Sequence, residues 1–320
     1  MTAAVYDVVV VGAGPVGENV ADRVVQGGLT AAVVERELVG GECSYWACMP
    51  TKALLRDAAA LRAARSLPGA RAAVTGELDT AAVLRRRDDF ASHWGDEGQV
   101  AWLEQAGISL FRGTGRIAGA RTVEVTTDDG PTTTLEARHA VVVATGSSAR
   151  LPEIPGLADA APWTSREAAS AQAVPERLAI LGGGVVGAET ATAFAALGAR
   201  VTLVARGGLL PAAEPFAGDL VAEALKAAGV VLHLRTEPVS VRRDGRGLVH
   251  LALADGTALD ADEVLVATGR TPDPSAWTAS GSPPATGCAW TTPCASSAPT
   301  AHPWETGGST PPATSTGARC

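Results

Sequence analysis

Two glycine turns of one design, Gly12-Ala13-Gly14-Pro15-Val16-Gly17 and Gly182-Gly183-Gly184-Val185-Val186-Gly187, constrain this chain more than any other feature. Each follows an apolar run, Val8 to Val11 or Leu178 to Leu181, and each opens a helical stretch. The first helix is expected to reach about Gln26 and the second to run from Ala188 to Leu197. A further strand follows each time, Ala31 to Val34 and Val201 to Val204. Later strands at Ala140 to Val143 and Val264 to Val266 both run into Ala-Thr-Gly. Self-similarity of this kind means one architecture used twice. In such a unit the first glycine permits the tight turn. The second lets backbone approach a pyrophosphate, and the third lets the helix pack closely on the sheet. The helix start then offers unpaired N–H groups and the positive end of a dipole to phosphate. The expected fold class is α/β: two Rossmann-like dinucleotide-binding domains, each three-layered.

Composition agrees and excludes some partners. The 320 residues are 46% hydrophobic but only 4% aromatic, as buried Val-rich strands require. A formal net charge of −8 with no basic arm argues against nucleic acid or acidic membranes. No apolar run approaches the ~18 residues that span a bilayer, and Val5 to Val11 enters a strand without a signal-peptide pattern, so a cytoplasmic protein is expected.

Helices are expected over about Thr51 to Ala64 and Thr80 to Gln105, and a strand over Thr122 to Thr126. The prolines of Leu151-Pro152-Glu153-Ile154-Pro155-Gly156 suit a domain crossing. The expected domains are 1–152, 153–273 and a low-complexity tail over 274–320. From Pro274 to Cys320 there is no Val, Ile, Leu, Phe or Met, and only Glu305 and Arg319 are charged. Such a segment lacks the apolar surface to offset chain entropy, so disorder is expected. The abrupt change also suggests an out-of-frame reading of a GC-rich gene; a genuine short protein with a flexible tail is the rival.

Three features carry chemistry. Glu35 lies at a strand end about 20 residues past the first turn, where an acid accepts hydrogen bonds from ribose hydroxyls. The equivalent place after the second turn holds Ala205-Arg206, and a guanidinium there favours the 2′-phosphate of NADPH over NADH. Third is Gly40-Gly41-Glu42-Cys43-Ser44-Tyr45-Trp46-Ala47-Cys48-Met49-Pro50-Thr51-Lys52. Cysteines five apart on an ideal helix are too distant to bridge, so a disulfide needs a distorted turn near the helix start. That position would lower a thiol pKa through the dipole. Zinc would need more ligands, and no other Cys or His lies near, so no metal site is expected. Two unpaired structural cysteines are the plain alternative.

In this order the motifs resemble the class I pyridine nucleotide–disulfide oxidoreductases, such as lipoamide dehydrogenase, glutathione reductase and mercuric reductase. The resemblance covers about residues 5 to 273 and implies a specific division of labour. FAD would lie along Gly12, Gly14, Pro15 and Gly17, with Glu35 and Arg36 at its ribose and Gly41, Gly115, Thr145, Gly146 and Gly269 also near cofactor. NAD(P)H would lie at Gly182, Gly184, Gly187 and Arg206. Cys43 matches the outer thiol that attacks substrate, and Cys48 the inner thiol that faces the flavin and forms the charge-transfer state. Lys52 and Glu189 match an ion pair beside the flavin N5. Electrons would pass from NAD(P)H through flavin and the Cys43–Cys48 disulfide to a small-molecule acceptor.

The chain also departs from that pattern. Tyr45 and Ala47 stand where the family usually has Asn and Gly, which implies bulkier surroundings for the dithiol. Val185 replaces a Tyr that gates the nicotinamide and is read as a packing residue. Members continue into a Gly-Asp segment and an interface domain. That domain makes the homodimer and supplies a His–Glu pair from the partner; no match follows residue 273. The alternative to a working oxidoreductase is therefore an inactive nucleotide-binding remnant.

Overall fold

A computed structural model of the protein describes residues 3–127 and 130–274. The disorder expected of the tail therefore falls, from residue 275 on, outside the described residues.

The chain opens with β1 (Ala4–Val11), α1 (Pro15–Gln26) and β2 (Ala31–Glu35). The redox segment forms α2 (Gly41–Tyr45) and starts α3 (Cys48–Ser66), followed by the single turn α4 (Pro68–Arg71). Pro50 is tolerated because it lies in the first turn of α3, where an N–H has no intrahelical partner. The single helix expected over Thr80 to Gln105 is in fact two, α5 (Thr80–Phe90) and α6 (Glu97–Gln105). Ser92, His93 and Trp94 all take positive φ between them, and L-residues do not propagate a right-handed helix there.

Next come β3 (Ser109–Arg112), the meander β4 (Thr114–Gly119), β5 (Thr122–Thr126) and β6 (Thr133–Val143), and the short β7 (Ser147–Ala149). The first sheet has the order β3-β2-β1-β6-β5-β4, parallel around β1 and antiparallel in the meander. Alternation along the buried strands sorts the core. Val8, Val10, Ala31 and Val33 face α1 and α6, whereas Val9, Val11, Ala32 and Val34 face Val123, Val125 and Leu135 of the meander.

The second half repeats this plan with α7 (Ser165–Ser170), β8 (Arg177–Leu181), α8 (Val185–Ala196), β9 (Arg200–Ala205), α9 (Pro215–Ala227) and β10 (Val231–Leu234). The meander β11 (Pro238–Arg243), β12 (Val249–Leu253) and β13 (Ala258–Ala261) follows, then β14 (Glu263–Val266) and β15 (Arg270–Pro272). The second sheet runs β10-β9-β8-β14, all parallel. Ile180 and Leu203 pack toward the helices; Leu181 and Val204 pack toward Val249 and Leu251 of the meander. Helices, parallel sheet and meander thus give three layers twice over, as expected. The chain returns to the first half where β15 pairs antiparallel with β7. Among the described residues no helix is long and apolar enough to cross a membrane.

Candidate redox and dinucleotide site

Both glycine turns are forced by close approach. Gly12 has φ +103°, and a Cβ there would stand 2.3 Å from the Ala144 carbonyl oxygen. Gly182 has φ +124° and would meet the Ala267 oxygen at the same 2.3 Å. Any side chain at Gly17 or Gly187 would strike the carbonyl of the turn's own first glycine, at 1.9 and 2.0 Å. Gly14 and Gly184 differ: a Cβ would meet nothing within 4 Å. Neither α1 nor α8 is capped by a side chain. The free first-turn N–H groups and the open glycine make each helix start a cradle for an anionic diphosphate.

The first cradle opens into a cleft of about 590 Å³ lined by Gly12, Gly14, Pro15, Glu35, Arg36, Gly41, Gly115, Thr145 and Gly146. Glu35 is buried at its floor. Its Oε2 accepts from the Ala13 N–H at 2.7 Å and its Oε1 from the Glu37 N–H at 2.8 Å, which braces the turn against β2. Arg36 pairs with Asp273 at 2.5 Å, and the Thr145 hydroxyl donates to the Asp273 carbonyl at 2.9 Å.

A second cavity of about 450 Å³ adjoins it, lined by Cys43, Trp46, Cys48, Lys52, Val185 and Glu189 among others. Lys52 of α3 and Glu189 of α8 meet there at 2.5 Å. The helix carrying the cysteines is broken between them: α2 ends at Tyr45, and Ala47 has φ −135° and ψ −95° before α3 begins. This is the distortion that bridging demands. Both thiols are free and line the same cavity, Cys43 half-buried and Cys48 exposed. Arg166 of α7 donates to Glu37 through both terminal guanidinium nitrogens at 2.8 and 2.9 Å and to Glu42 through Nε, and lies 4.0 Å from the Trp46 ring centroid. Burial opposes its charge, but the hydrogen bonds to the two carboxylates outweigh this and raise its pKa.

Three expectations are corrected. Burial pushes the Cys43 thiol up to about 11, and the neighbouring Cys48 thiol adds to the shift. Cys43 lies in the first turn of α2 as Cys48 does in that of α3, but at Cys43 burial outweighs the helix dipole. Tyr45 adds no bulk to the cavity; it is 2% exposed, and its hydroxyl donates to the carbonyls of Val39 at 2.9 Å and Gly95 at 3.3 Å. Trp46 takes the wall position instead. Val185 is not a packing residue: it is 62% exposed at the start of α8 and lines the cavity.

Gly17, Gly182, Gly184, Gly187, Arg206 and Gly269 line neither of these two cavities. Arg206 is exposed, with Glu237 4.0 Å away. Sequence reasoning missed Trp46, Arg166 and Glu42 as wall residues. For Arg166 no signal existed, since its partners lie 124 and 129 residues away.

The sequence pattern of the pyridine nucleotide-disulphide oxidoreductases matches residues 6–286. The chain is 37% identical over 270 residues to a mercuric reductase of Streptomyces lividans, covering 83% of this chain and 56% of that protein. It is 33% identical over 277 residues to a dihydrolipoyl dehydrogenase of Chlorobaculum tepidum, covering 84% and 58%. The HOCl-induced flavoprotein disulfide reductase RclA of Escherichia coli, solved as a Cu(II) complex, superposes with a TM-score of 0.72 at 23% identity, covering 85% and 58%. That last likeness is one of fold. The chain thus spans little more than half the length of these relatives.

Proposed function

The chain belongs to the pyridine nucleotide-disulphide oxidoreductase family, and from that premise we propose that it moves electrons from NAD(P)H through FAD to a Cys43–Cys48 couple and on to a small-molecule acceptor. One observation carries the reading: a single cavity is lined by both cysteines, by the Lys52–Glu189 pair and by the start of the second cradle's helix. The residues fit FAD. The uncapped α1 start and the open side of Gly14 would take its diphosphate, Glu35 would face its ribose, and Gly41, Gly115, Thr145 and Gly146 would line its course. The division into a flavin half over 1–152 and a pyridine nucleotide half over 153–273 belongs to the same proposal.

When bound, the flavin would accept hydride from the nicotinamide and return an electron pair to a disulfide. The protein's own share is positional and electrostatic. Lys52 keeps a positive charge at the cavity wall, where negative charge would develop, and Glu189 holds its ammonium in place. The break at Trp46 and Ala47 leaves Cys43 in α2 and Cys48 at the start of α3, both on the cavity, and in this reading Cys43 is the outer thiol and Cys48 the inner one.

Arg206 leaves its guanidinium in solvent apart from Glu237, which supports a preference for the 2′-phosphate of NADPH. Replacing it by Ala should weaken NADPH far more than NADH. The main test is anaerobic reductive titration of the FAD-loaded chain. The wild type should take up two hydride equivalents per flavin and Cys48→Ser only one. Equal uptake by both proteins would defeat the proposal.

A further inference from the structure

The five residues of α2 are too few to hold a helix by themselves, so contacts from outside fix the segment that carries Cys43. The first half of the chain supplies one set. The Gly40 N–H donates to the Ala13 carbonyl at 2.8 Å, the Trp94 indole to the Tyr45 carbonyl at 3.1 Å and the Gln99 amide to the Ser44 hydroxyl at 3.1 Å. The second half supplies another set, through Arg166. Its Nε donates to Glu42, the residue before Cys43, and its guanidinium covers the ring of Trp46, which lies between the two cysteines. Its two terminal nitrogens grip Glu37, just past β2. Arg270 of β15 adds a looser ion pair to the other oxygen of Glu42, at 3.5 Å.

The helix that presents Arg166 is itself held at both ends. Thr164 and Glu167 form a capping box at the start of α7: the Thr164 hydroxyl accepts from the Arg166 N–H at 3.2 Å, and Glu167 accepts from the Thr164 N–H at 2.6 Å. At the other end Arg87 of α5 binds the Ala169 and Ala171 carbonyls. Exposed ion pairs contribute little as a rule. This one is bidentate to one carboxylate, reaches a second and stacks on an indole, and each of these features fixes geometry and adds strength. A braced α7 therefore clamps the segment on both sides of Cys43.

We propose that Arg166 is a positioning residue of the Cys43–Cys48 couple, whose grip on Glu42 and Trp46 keeps the two thiols poised to close. The proposal rests on reading those cysteines as a redox couple. Closure turns two thiols into one S–S bond. The two electrons and two protons leave with the oxidant, here the cyclic disulfide of dithiothreitol, which becomes its dithiol. In the closed state the new bond itself restrains the break between α2 and α3. In the open state only non-covalent contacts do so. The clamp therefore narrows the open ensemble more than the closed one and lowers the entropy cost of closing. Without Arg166 the couple should be easier to reduce.

The test is the equilibrium of the full chain with dithiothreitol buffers of graded oxidation, read as the fraction of cross-linked Cys43–Cys48 peptide. For half-closure Arg166→Ala should need a ratio of oxidised to reduced dithiothreitol higher by roughly fivefold to tenfold, or ~20–30 mV. Arg166→Lys should fall part-way, because one ammonium does not serve two carboxylates and a ring together. Arg177→Ala removes a 2.6 Å pair to Asp262 that joins β8 to the residue before β14. It should lower the urea midpoint and leave the redox midpoint unmoved, which separates positioning of the dithiol from general stability. An Arg166→Ala midpoint within about twofold of the wild type's overturns the proposal, and so does an equal shift in Arg177→Ala. Should Arg166→Ala fail to fold by circular dichroism, Arg166→Lys carries the test, and a wild-type midpoint for it is the overturning result. If the wild type never links Cys43 to Cys48 at any ratio, the redox reading itself fails; if it does and the variants share its midpoint, only the role of Arg166 fails.

Discussion

Replacing Arg87 by Met removes a guanidinium that is 0% exposed and ties α5 to the end of α7. Its Nη1 donates to the Ala169 carbonyl at 2.5 Å, its Nη2 to the Ala171 carbonyl at 2.9 Å and its Nε to Asp88 at 2.7 Å. Met fills the volume but donates nothing, so two buried carbonyls lose their partner at ~1–3 kcal/mol each. Asp88 is partly exposed and recovers water, so it adds little. The sum, about 3–5 kcal/mol, is that of breaking a buried charged network. At roughly 2–4 °C per kcal/mol for a domain of this size, the melting temperature should fall by about 10 °C. Arg87→Lys should recover part of the loss, since one ammonium does not reach both carbonyls as a planar fork does. Urea unfolding followed by circular dichroism measures the difference. A loss below ~1 kcal/mol for Arg87→Met would refute the claim that this guanidinium satisfies the α7 terminus.

Tyr45→Phe removes a hydroxyl held by Val39 and Gly95, and should cost ~1–2 kcal/mol in urea while leaving the Cys43–Cys48 linkage intact on peptide maps. Gly182→Ala forces φ +124° on a residue with a Cβ 2.3 Å from the Ala267 oxygen. It should destabilise by ~1–3 kcal/mol or more and abolish pyridine nucleotide binding in calorimetry, with FAD binding kept. Glu18 binds its proton more tightly folded, near 7, than at its ordinary 4.5. The fold therefore holds more protons than the unfolded chain between those values, and stability falls as pH rises through that window. Glu18→Gln should flatten this slope in urea midpoints taken from pH 4.5 to 8.

The twin glycine turns were legible in sequence because only glycine fits where a Cβ would touch the backbone of the facing strand. The Ala-Thr-Gly strand ends were legible for the related reason that they supply that backbone. The break at Ser92 to Trp94 was not, because the turn uses ordinary residues at positive φ and the helical pattern runs on across it. The cysteine spacing announced a distorted helix start. It did not say which thiol would be the more shielded, since that depends on how α2 lies on α1. Nor did it reveal that Tyr45 turns inward and Trp46 outward, which follows from carbonyls 6 and 50 residues away. Arg166 is the extreme case, a wall residue defined by partners in the other half of the chain.

The central claim is most directly tested by equilibrating the chain across a series of dithiothreitol redox buffers, trapping free thiols by alkylation and mapping the peptides without reduction. The account predicts that Cys43 and Cys48 pass together, in one two-electron step, from two labelled thiols to a single cross-linked peptide. Independent labelling of the two residues at every potential would contradict it.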